Sequence, residues 1–284
     1  MFQTPLLSIE PFLFAKAEYA NPTGSVKDRA AHYLLAEAER SGCLGPGGRV
    51  IEATSGNMGI ALAALCKLKG YACTIVMPDS MSPERQQRML TLGAELVLTP
   101  GALGMMGAEA EAIRLAKAIP GSFLTRQFEN SANALAHVCT TGPEIWQQTG
   151  GKLDFFVAGV GTGGSFSGTA RYLKEQNSHI RMVAVEPAKS PLLSQGTAGN
   201  HGIQGIGANF VPALLDRGLI DEVITVTDED AFAVAKELGQ TGIPAGISAG
   251  ANVWAARLLA ARHPGKTVVT LLPDHADRYA SLGL

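Results

Sequence analysis

The chain has few of the residues that build metal centres, disulfide frameworks and nucleic-acid surfaces. Its four cysteines, Cys43, Cys66, Cys73 and Cys139, show no C-x-x-C spacing, and its six histidines form no i, i+4 pair and stand beside no acid cluster. This argues against a metal site, and the thiols are expected to be reduced and mostly buried. Lys and Arg number 23 against 25 Asp and Glu, for a formal charge of −2, with no basic run able to track a phosphate backbone. Nucleic acid is therefore not an expected partner. No apolar run reaches about 18 residues without a Gly, Pro or charge, which argues against a membrane span. The opening Met1-Phe2-Gln3-Thr4-Pro5 lacks a basic n-region, so a soluble cytoplasmic protein is expected. Internal repeats and low-complexity linkers are also missing.

What is present is a core-forming chain: 46% of 284 residues are hydrophobic. That length predicts two domains of roughly 130–150 residues or one large one. Short β-branched runs at 49–53, 73–77, 95–98, 122–125, 154–160, 182–186, 222–227 and 267–272 predict strands. Between them, apolar residues recur every three to four positions over 28–40, 59–69, 83–92, 108–118, 166–176, 229–239 and 251–262, predicting helices. Such alternation predicts an α/β protein with parallel sheet and helices on both faces. The domain seam is expected after the strand ending at Thr125, because 127–151 is polar, mostly helical and broken by Gly142-Pro143. The stretch 188–210 has no clear element, and a loop of that length is usually functional.

One lysine stands out. Asn21-Pro22-Thr23-Gly24 reads as a turn, and Ser25 with Asp28 reads as a helix N-cap with an acid in the first turn. Lys27 then sits at the positive end of a helix, where a cation is disfavoured and a neutral amine becomes available as a nucleophile. A solvated lysine in a capped helix is the plainer reading of the same residues.

Three further loops join a strand to a helix. Gly159-Val160-Gly161-Thr162-Gly163-Gly164-Ser165 offers side-chain-free N–H groups and a helix N-terminus, as a phosphate cradle requires. The same glycines satisfy G-x-G-x-x-G, with Glu186 about 20 residues on, so a dinucleotide site competes. Thr54-Ser55-Gly56-Asn57-Met58-Gly59 is rich in hydroxyl and amide groups that could grip a carboxylate, although simple capping would use the same residues. Gly246-Ile247-Ser248-Ala249-Gly250 places a hydroxyl before another helix, as an N-cap or as something more. Asp274 and His275 follow the last strand, at the edge where open α/β sheets place ligands. Asp277 and Arg278 read as a structural pair.

Taken together, these residues resemble the cysteine synthase family, the β-family (fold type II) of pyridoxal-phosphate enzymes that includes the O-acetylserine sulfhydrylases. The matching strings, in family order, are N-P-T-G-S-V-K-D-R (21–29), T-S-G-N (54–57), T-T-G-P-E-I-W (140–146), G-V-G-T-G-G (159–164), I-Q-G-I-G (203–207) and G-I-S-x-G (246–250). The resemblance covers nearly the whole chain.

It implies two domains, each a mostly parallel twisted sheet with flanking helices: an N-terminal domain over 1–130, with a mobile subdomain at about 73–118, and a C-terminal domain over 131–284. It also implies pyridoxal 5'-phosphate as cofactor, in Schiff base with Lys27. Gly161, Thr162, Gly163, Gly164 and Ser165 would bind the phosphate, Asn57 the ring oxygen, and Ser248 would face the pyridine nitrogen. A neutral hydroxyl there favours elimination and addition over transamination. Thr54, Ser55, Gly56, position 58 and Gln127 would hold the substrate carboxylate, with the loop at Gly205 closing near the incoming nucleophile.

The implied reaction is β-replacement on O-acetyl-L-serine, with sulfide or thiosulfate giving L-cysteine and acetate through α-aminoacrylate. Lys27 would serve as general base. A homodimer and a serine acetyltransferase partner are also implied. O-phosphoserine or homocysteine as substrates are the alternatives within the family, and a nicotinamide-dependent dehydrogenase is a distant one. Met58 stands where the family usually has Thr, and Ala276 where it usually has Gly. Residues 52–57 and 142–151 look closest to the B-type synthases, and the I-Q-G-I-G loop to the A-type.

Overall fold

A computed structural model describes residues 2–81 and 83–284. Met1 and Ser82, both within the expected N-terminal domain, lie outside the described residues. The strands in chain order are β1 (Leu6–Glu10), β2 (Leu13–Lys16), β3 (Arg49–Ala53), β4 (Ala72–Pro78), β5 (Glu95–Thr99), β6 (Ser122–Leu124), β7 (Phe155–Gly159), β8 (Arg181–Pro187), β9 (Glu222–Val226) and β10 (Val268–Leu271). The α-helices are α1 (Lys27–Arg40), α2 (Asn57–Lys69), α3 (Pro83–Thr91), α4 (Gly104–Ala118), α5 (Ala132–Ala136), α6 (Gly142–Gln148), α7 (Gly164–Gln176), α8 (Leu192–Gln195), α9 (Asp228–Gln240) and α10 (Ile247–Arg262). Among the described residues no helix is long and apolar enough to cross a membrane, and no group of His, Cys, Asp and Glu could hold a metal ion.

The chain forms two compact units, Lys27–Asn133 and Met1–Val26 with Ala134–Leu284. In the first, β5-β4-β3-β6 make a parallel sheet. One face buries Leu34, Leu35, Val50, Leu62 and Ile75 with α1 and α2. The other packs Ile51 and Val76 against Ala108 and Ala112 of α4. Strands covered on both faces read as near-continuous apolar runs, which is how these segments look in the sequence. Helix α2 stops where Gly70 adopts φ 75°, its N–H capping the Cys66 carbonyl.

In the second unit the order is β1-β2-β10-β7-β8-β9. It is parallel except for the β1–β2 hairpin. Its core comprises Phe155, Val157 and Val185 with Ala251, Ala255 and Leu259 of α10 on one side, and Phe156, Ala158 and Ala184 with Phe166, Ala170 and Leu173 of α7 on the other.

The domain boundary differs from the expected 130/131 split. Residues 1–26 belong with the C-terminal part, because β2 runs in register with β10, Leu13 beside Val268 through Lys16 beside Leu271. The β1–β2 hairpin carries little sequence signal, since its turn uses Phe12 at φ 63° in place of a glycine. The α/β architecture with mostly parallel sheets is as expected. Several helices begin earlier than their apolar periodicity does: α2 at Asn57, α4 at Gly104, α7 at Gly164 and α10 at Ile247. The residues added at their starts, 57–58, 104–107, 164–165 and 247–250, are mostly Gly, Ser, Asn and Met, with Ile247 and Ala249 in α10, and show no clear amphipathic period.

Candidate active site

Each unit carries part of the expected residue set. In the second unit, the turn ahead of α1 is closed by the Gly24 N–H donating to the Asn21 carbonyl at 2.8 Å, with Gly24 at φ 87°. Ser25 is fully buried and forms a β-bridge with Asp274. Ser25 lies two residues ahead of Lys27, the first helical position.

In the first unit, Lys27 is the first residue of α1, half-buried, followed by buried Asp28 and fully buried Arg29. The loop after β3 runs from Thr54 to Gly56 and leads directly into α2 at Asn57. The Gly56 N–H reaches the Thr54 hydroxyl at 3.3 Å, and no side chain caps the helix. The first turn of α2 includes Asn57, Met58 and Gly59, the Gly59 N–H donating to the Gly56 carbonyl at 3.1 Å, and the helix dipole there favours an anion. Ser55 and Asn57 are half-buried and Thr54 is buried.

The Met58 side chain does not line this loop. It is 1% exposed and joins the apolar cluster of Leu34, Leu62 and Met89. The missing hydroxyl at 58 is thus replaced by core packing, and the position contributes its backbone to the helix start. Gly59 is needed for close packing, because a Cβ there would meet the Met89 methyl at 2.8 Å and the Thr54 methyl at 3.0 Å. Arg85 of α3, not singled out from the sequence, donates to the Ser55 carbonyl at 3.3 Å.

Gln127 is buried in the turn after β6. Its Nε2 donates to Glu52 Oε1 at 3.2 Å, and its carbonyl accepts from Asn133 Nδ2 at 2.8 Å. Glu52, in β3, was also missed. Its second oxygen accepts from the Thr125 hydroxyl. Burial pushes its carboxyl up to about 7, against the downward pull of hydrogen bonds from the Thr125 and Gln127 side chains and the Gln127 and Arg126 backbone. The signal was there to read: an acid inside the apolar strand Val50-Ile51-Glu52-Ala53.

The second unit brings three of the strings together. A Cβ on Gly161 would lie 2.3 Å from the Gly205 carbonyl oxygen, and one on Gly205 would lie 3.8 Å from Ser248 Oγ. Gly163 has φ 83° and abuts the backbone of Leu215 at 2.8 Å from its ideal Cβ, so only glycine fits. This cradle opens α7, whose first turn holds Gly164 and Ser165, with Thr162 Oγ1 3.3 Å from the Gly164 N–H. The Gly207 N–H donates to the Val160 carbonyl at 2.9 Å, fastening the 203–207 loop to the cradle. Ser248 is buried in the first turn of α10 and makes no side-chain cap, so capping does not explain it. Asn252, one turn on, bridges the Gly159 N–H at 2.8 Å and the Leu271 carbonyl at 2.9 Å. The sequence reading did not find it.

Glu186 has a different task from the one a dinucleotide site would give it. Its carboxylate accepts from the N–H groups of Leu193 and Ser194 at 2.6 and 3.0 Å, and from the Ser194 hydroxyl at 2.5 Å. It is committed to the start of α8 and is not free for a ribose. Asp274 accepts from the Tyr279 hydroxyl at 2.7 Å and sits against Gly246, where a Cβ would meet its Oδ1 at 2.2 Å.

Side-chain-free backbone, a left-handed glycine and a helix N-terminus of α7 together fit a phosphate ester. Residues 1–274 match the family described as pyridoxal-phosphate dependent enzyme, and the chain belongs to that family. Pyridoxal phosphate is its cofactor. Among its relatives, cysteine synthase B of Campylobacter jejuni is 48% identical over 284 residues, 99% of this chain and 95% of the relative. The solved cysteine synthase of Entamoeba histolytica is similar with a TM-score of 0.94 at 40% identity, over 99% of this chain and 87% of that one. The O-acetylserine dependent cystathionine beta-synthase of Helicobacter pylori is similar with a TM-score of 0.93 at 41% identity, over 99% and 95% of the two chains.

Proposed function

We propose that the chain is a cysteine synthase, replacing the acetoxy group of O-acetyl-L-serine with sulfide to give L-cysteine and acetate. The observation that carries this reading is the contact of Gly161 with Gly205 beside Ser248. It supports reading these three segments as a phosphate cradle, a nucleophile-side loop and a neutral hydroxyl of one site, in a chain alike over nearly its full length to enzymes named cysteine synthase.

When bound, pyridoxal phosphate supplies a carbonyl for a Schiff base and an electron-withdrawing ring. In this reading Lys27 Nζ holds that carbonyl, and Gly161, Thr162, Gly163, Gly164 and Ser165 hold the phosphate. Asn57 takes the ring oxygen, and Ser248 faces the ring nitrogen without donating a charge to it. Thr54, Ser55, Gly56, the backbone at Met58 and Gln127 hold the substrate carboxylate. Once released by the amino acid, the Lys27 amine takes the proton from Cα and later returns it. Gly205 lies on the side of the incoming nucleophile, and the segment at about 73–118 moves to exclude water. Family resemblance further supports a cytoplasmic homodimer with a serine acetyltransferase partner.

A second reading, with homocysteine as the nucleophile, draws on the likeness to the Helicobacter pylori enzyme. Both are tested by quenched mixing. O-acetyl-L-serine alone should release about one acetate per active site, and sulfide added afterwards should convert that population to L-cysteine. Acetate release discharged only by homocysteine would select the second reading, and no release would reject both.

A further inference from the structure

We propose that Glu52 is a positioning residue for the amino-acid carboxylate site, holding the Thr125–Gln127 turn so that the Gln127 amide is presented to the substrate. This rests on the reading of Gln127 given above.

The geometry is that of one acceptor serving one turn. Glu52 Oε1 accepts from Gln127 Nε2 at 3.2 Å, and Oε2 accepts from Thr125 Oγ1. The backbone amides of Arg126 and Gln127, in the same turn, also favour the charged form of this carboxyl. Thr125 and Gln127 thus send two side-chain donors to a carboxyl that is 3% exposed. The turn needs holding, because Arg126 sits at φ 52°, a conformation costly for a residue with a Cβ. Asn130 Nδ2 on the Thr125 carbonyl at 3.3 Å and Asn133 Nδ2 on the Gln127 carbonyl at 2.8 Å support it from the other side. Glu52 also lies two residues ahead of Thr54 on one strand end, so it couples the turn to the loop that carries the rest of the carboxylate set.

No cation among the described residues pairs with Glu52. Arg126 turns its guanidinium outward to Glu129 at 3.2 Å. On the helices that cover the two faces of this sheet, α1 carries Lys27, Asp28, Arg29 and His32 and pairs Glu37 with Arg40 and Glu39 with Lys69 of α2; Lys67 of α2 and Glu109, Arg114 and Lys117 of α4 are exposed, Glu111 pairs with Arg114, and none of these charges shifts the Glu52 carboxyl. Strands β4 and β6 carry no charged residue. An unpaired carboxylate buried in an apolar sheet is costly, and its two side-chain donors both belong to the turn that presents Gln127. Burial brings its titration up to about 7. Protonation replaces an acceptor with a donor and loosens the turn, so amino-acid affinity should rise as pH rises through that range.

The test uses holoenzyme titrated with L-serine, an amino acid with a poor leaving group, followed by the cofactor absorbance and repeated from about pH 6 to about pH 8.5. Glu52→Gln should raise the dissociation constant about tenfold at the alkaline end and under about twofold at the acid end, with the absorbance of the amino-acid-free holoenzyme unchanged. In a Gln127→Ala background it should add nothing further. Turnover with O-acetyl-L-serine should show the loss in KM and not in kcat. A Glu52→Gln to wild-type ratio that stays flat with pH, or an undiminished effect without Gln127, would overturn the proposal. Gln127→Ala with unaltered L-serine affinity would instead reject the reading of Gln127. If Glu52→Gln does not fold, Glu52→Asp keeps the charge on a shorter stem. It should weaken L-serine binding while retaining the pH dependence, and wild-type affinity in that variant would also overturn the proposal.

Discussion

Gly161 approaches Gly205 so closely that a methyl group on the first would sit 2.3 Å from the carbonyl oxygen of the second. The backbone of the cradle and that of the 203–207 loop are therefore in direct contact, and neither can move without the other. Gly161→Ala should displace the loop and weaken pyridoxal-phosphate affinity at least about tenfold, since no flexible side chain is there to give way. Equilibrium titration of apoenzyme with the cofactor reads this directly.

Lys27 begins α1 but lies outside the apolar core of its unit. Lys27→Ala should therefore keep the fold and the phosphate contribution to cofactor binding while turnover falls by at least about a thousandfold. Circular dichroism and a turnover assay on the same preparation separate the two effects.

Met58→Thr would restore the residue usual at this position in the family, yet its side chain faces the core. The substitution removes a buried thioether and puts a hydroxyl among Leu34, Leu62 and Met89. Stability should fall by roughly 2 kcal/mol, and KM for the amino acid should not improve. Urea denaturation with parallel kinetics checks both halves.

Burial makes Glu52 titrate higher in the folded protein, at about 7, than in the unfolded chain, where a glutamate titrates at about 4.3. A raised carboxyl contributes stability that is fully present below the unfolded value and lost as pH rises through the folded one. The free energy of unfolding should therefore drop by up to roughly 3 kcal/mol between about pH 4.5 and pH 7.5 relative to Glu52→Gln, which has no proton to lose. Urea melts of both proteins across that range give the difference.

The strands of both sheets were legible because parallel, doubly covered strands are short apolar runs, and the segments at 49–53, 95–98 and 182–186 lie within a residue or two of β3, β5 and β8. The glycine strings were legible for the complementary reason that close backbone approach leaves no alternative residue, as at Gly161 and Gly163. Side-chain direction was not legible. Met58 reads as a member of a binding loop until its helix position turns it inward. Glu52 and Asn252 read as isolated polar residues until their partners at Gln127, Gly159 and Leu271 arrive from distant parts of the chain. The hairpin of residues 6–16 was missed because β2 takes its place through pairing with β10, more than 250 residues away, which local pattern does not encode.

The pairing of O-acetyl-L-serine with sulfide is read from kcat/KM of the purified holoenzyme across a grid of O-acetyl-L-serine and O-phospho-L-serine against sulfide, thiosulfate and homocysteine. The highest value is expected for O-acetyl-L-serine with sulfide, with L-cysteine and acetate formed in equal amounts. A maximum with O-phospho-L-serine or with homocysteine, and little or no L-cysteine from O-acetyl-L-serine and sulfide, would contradict it.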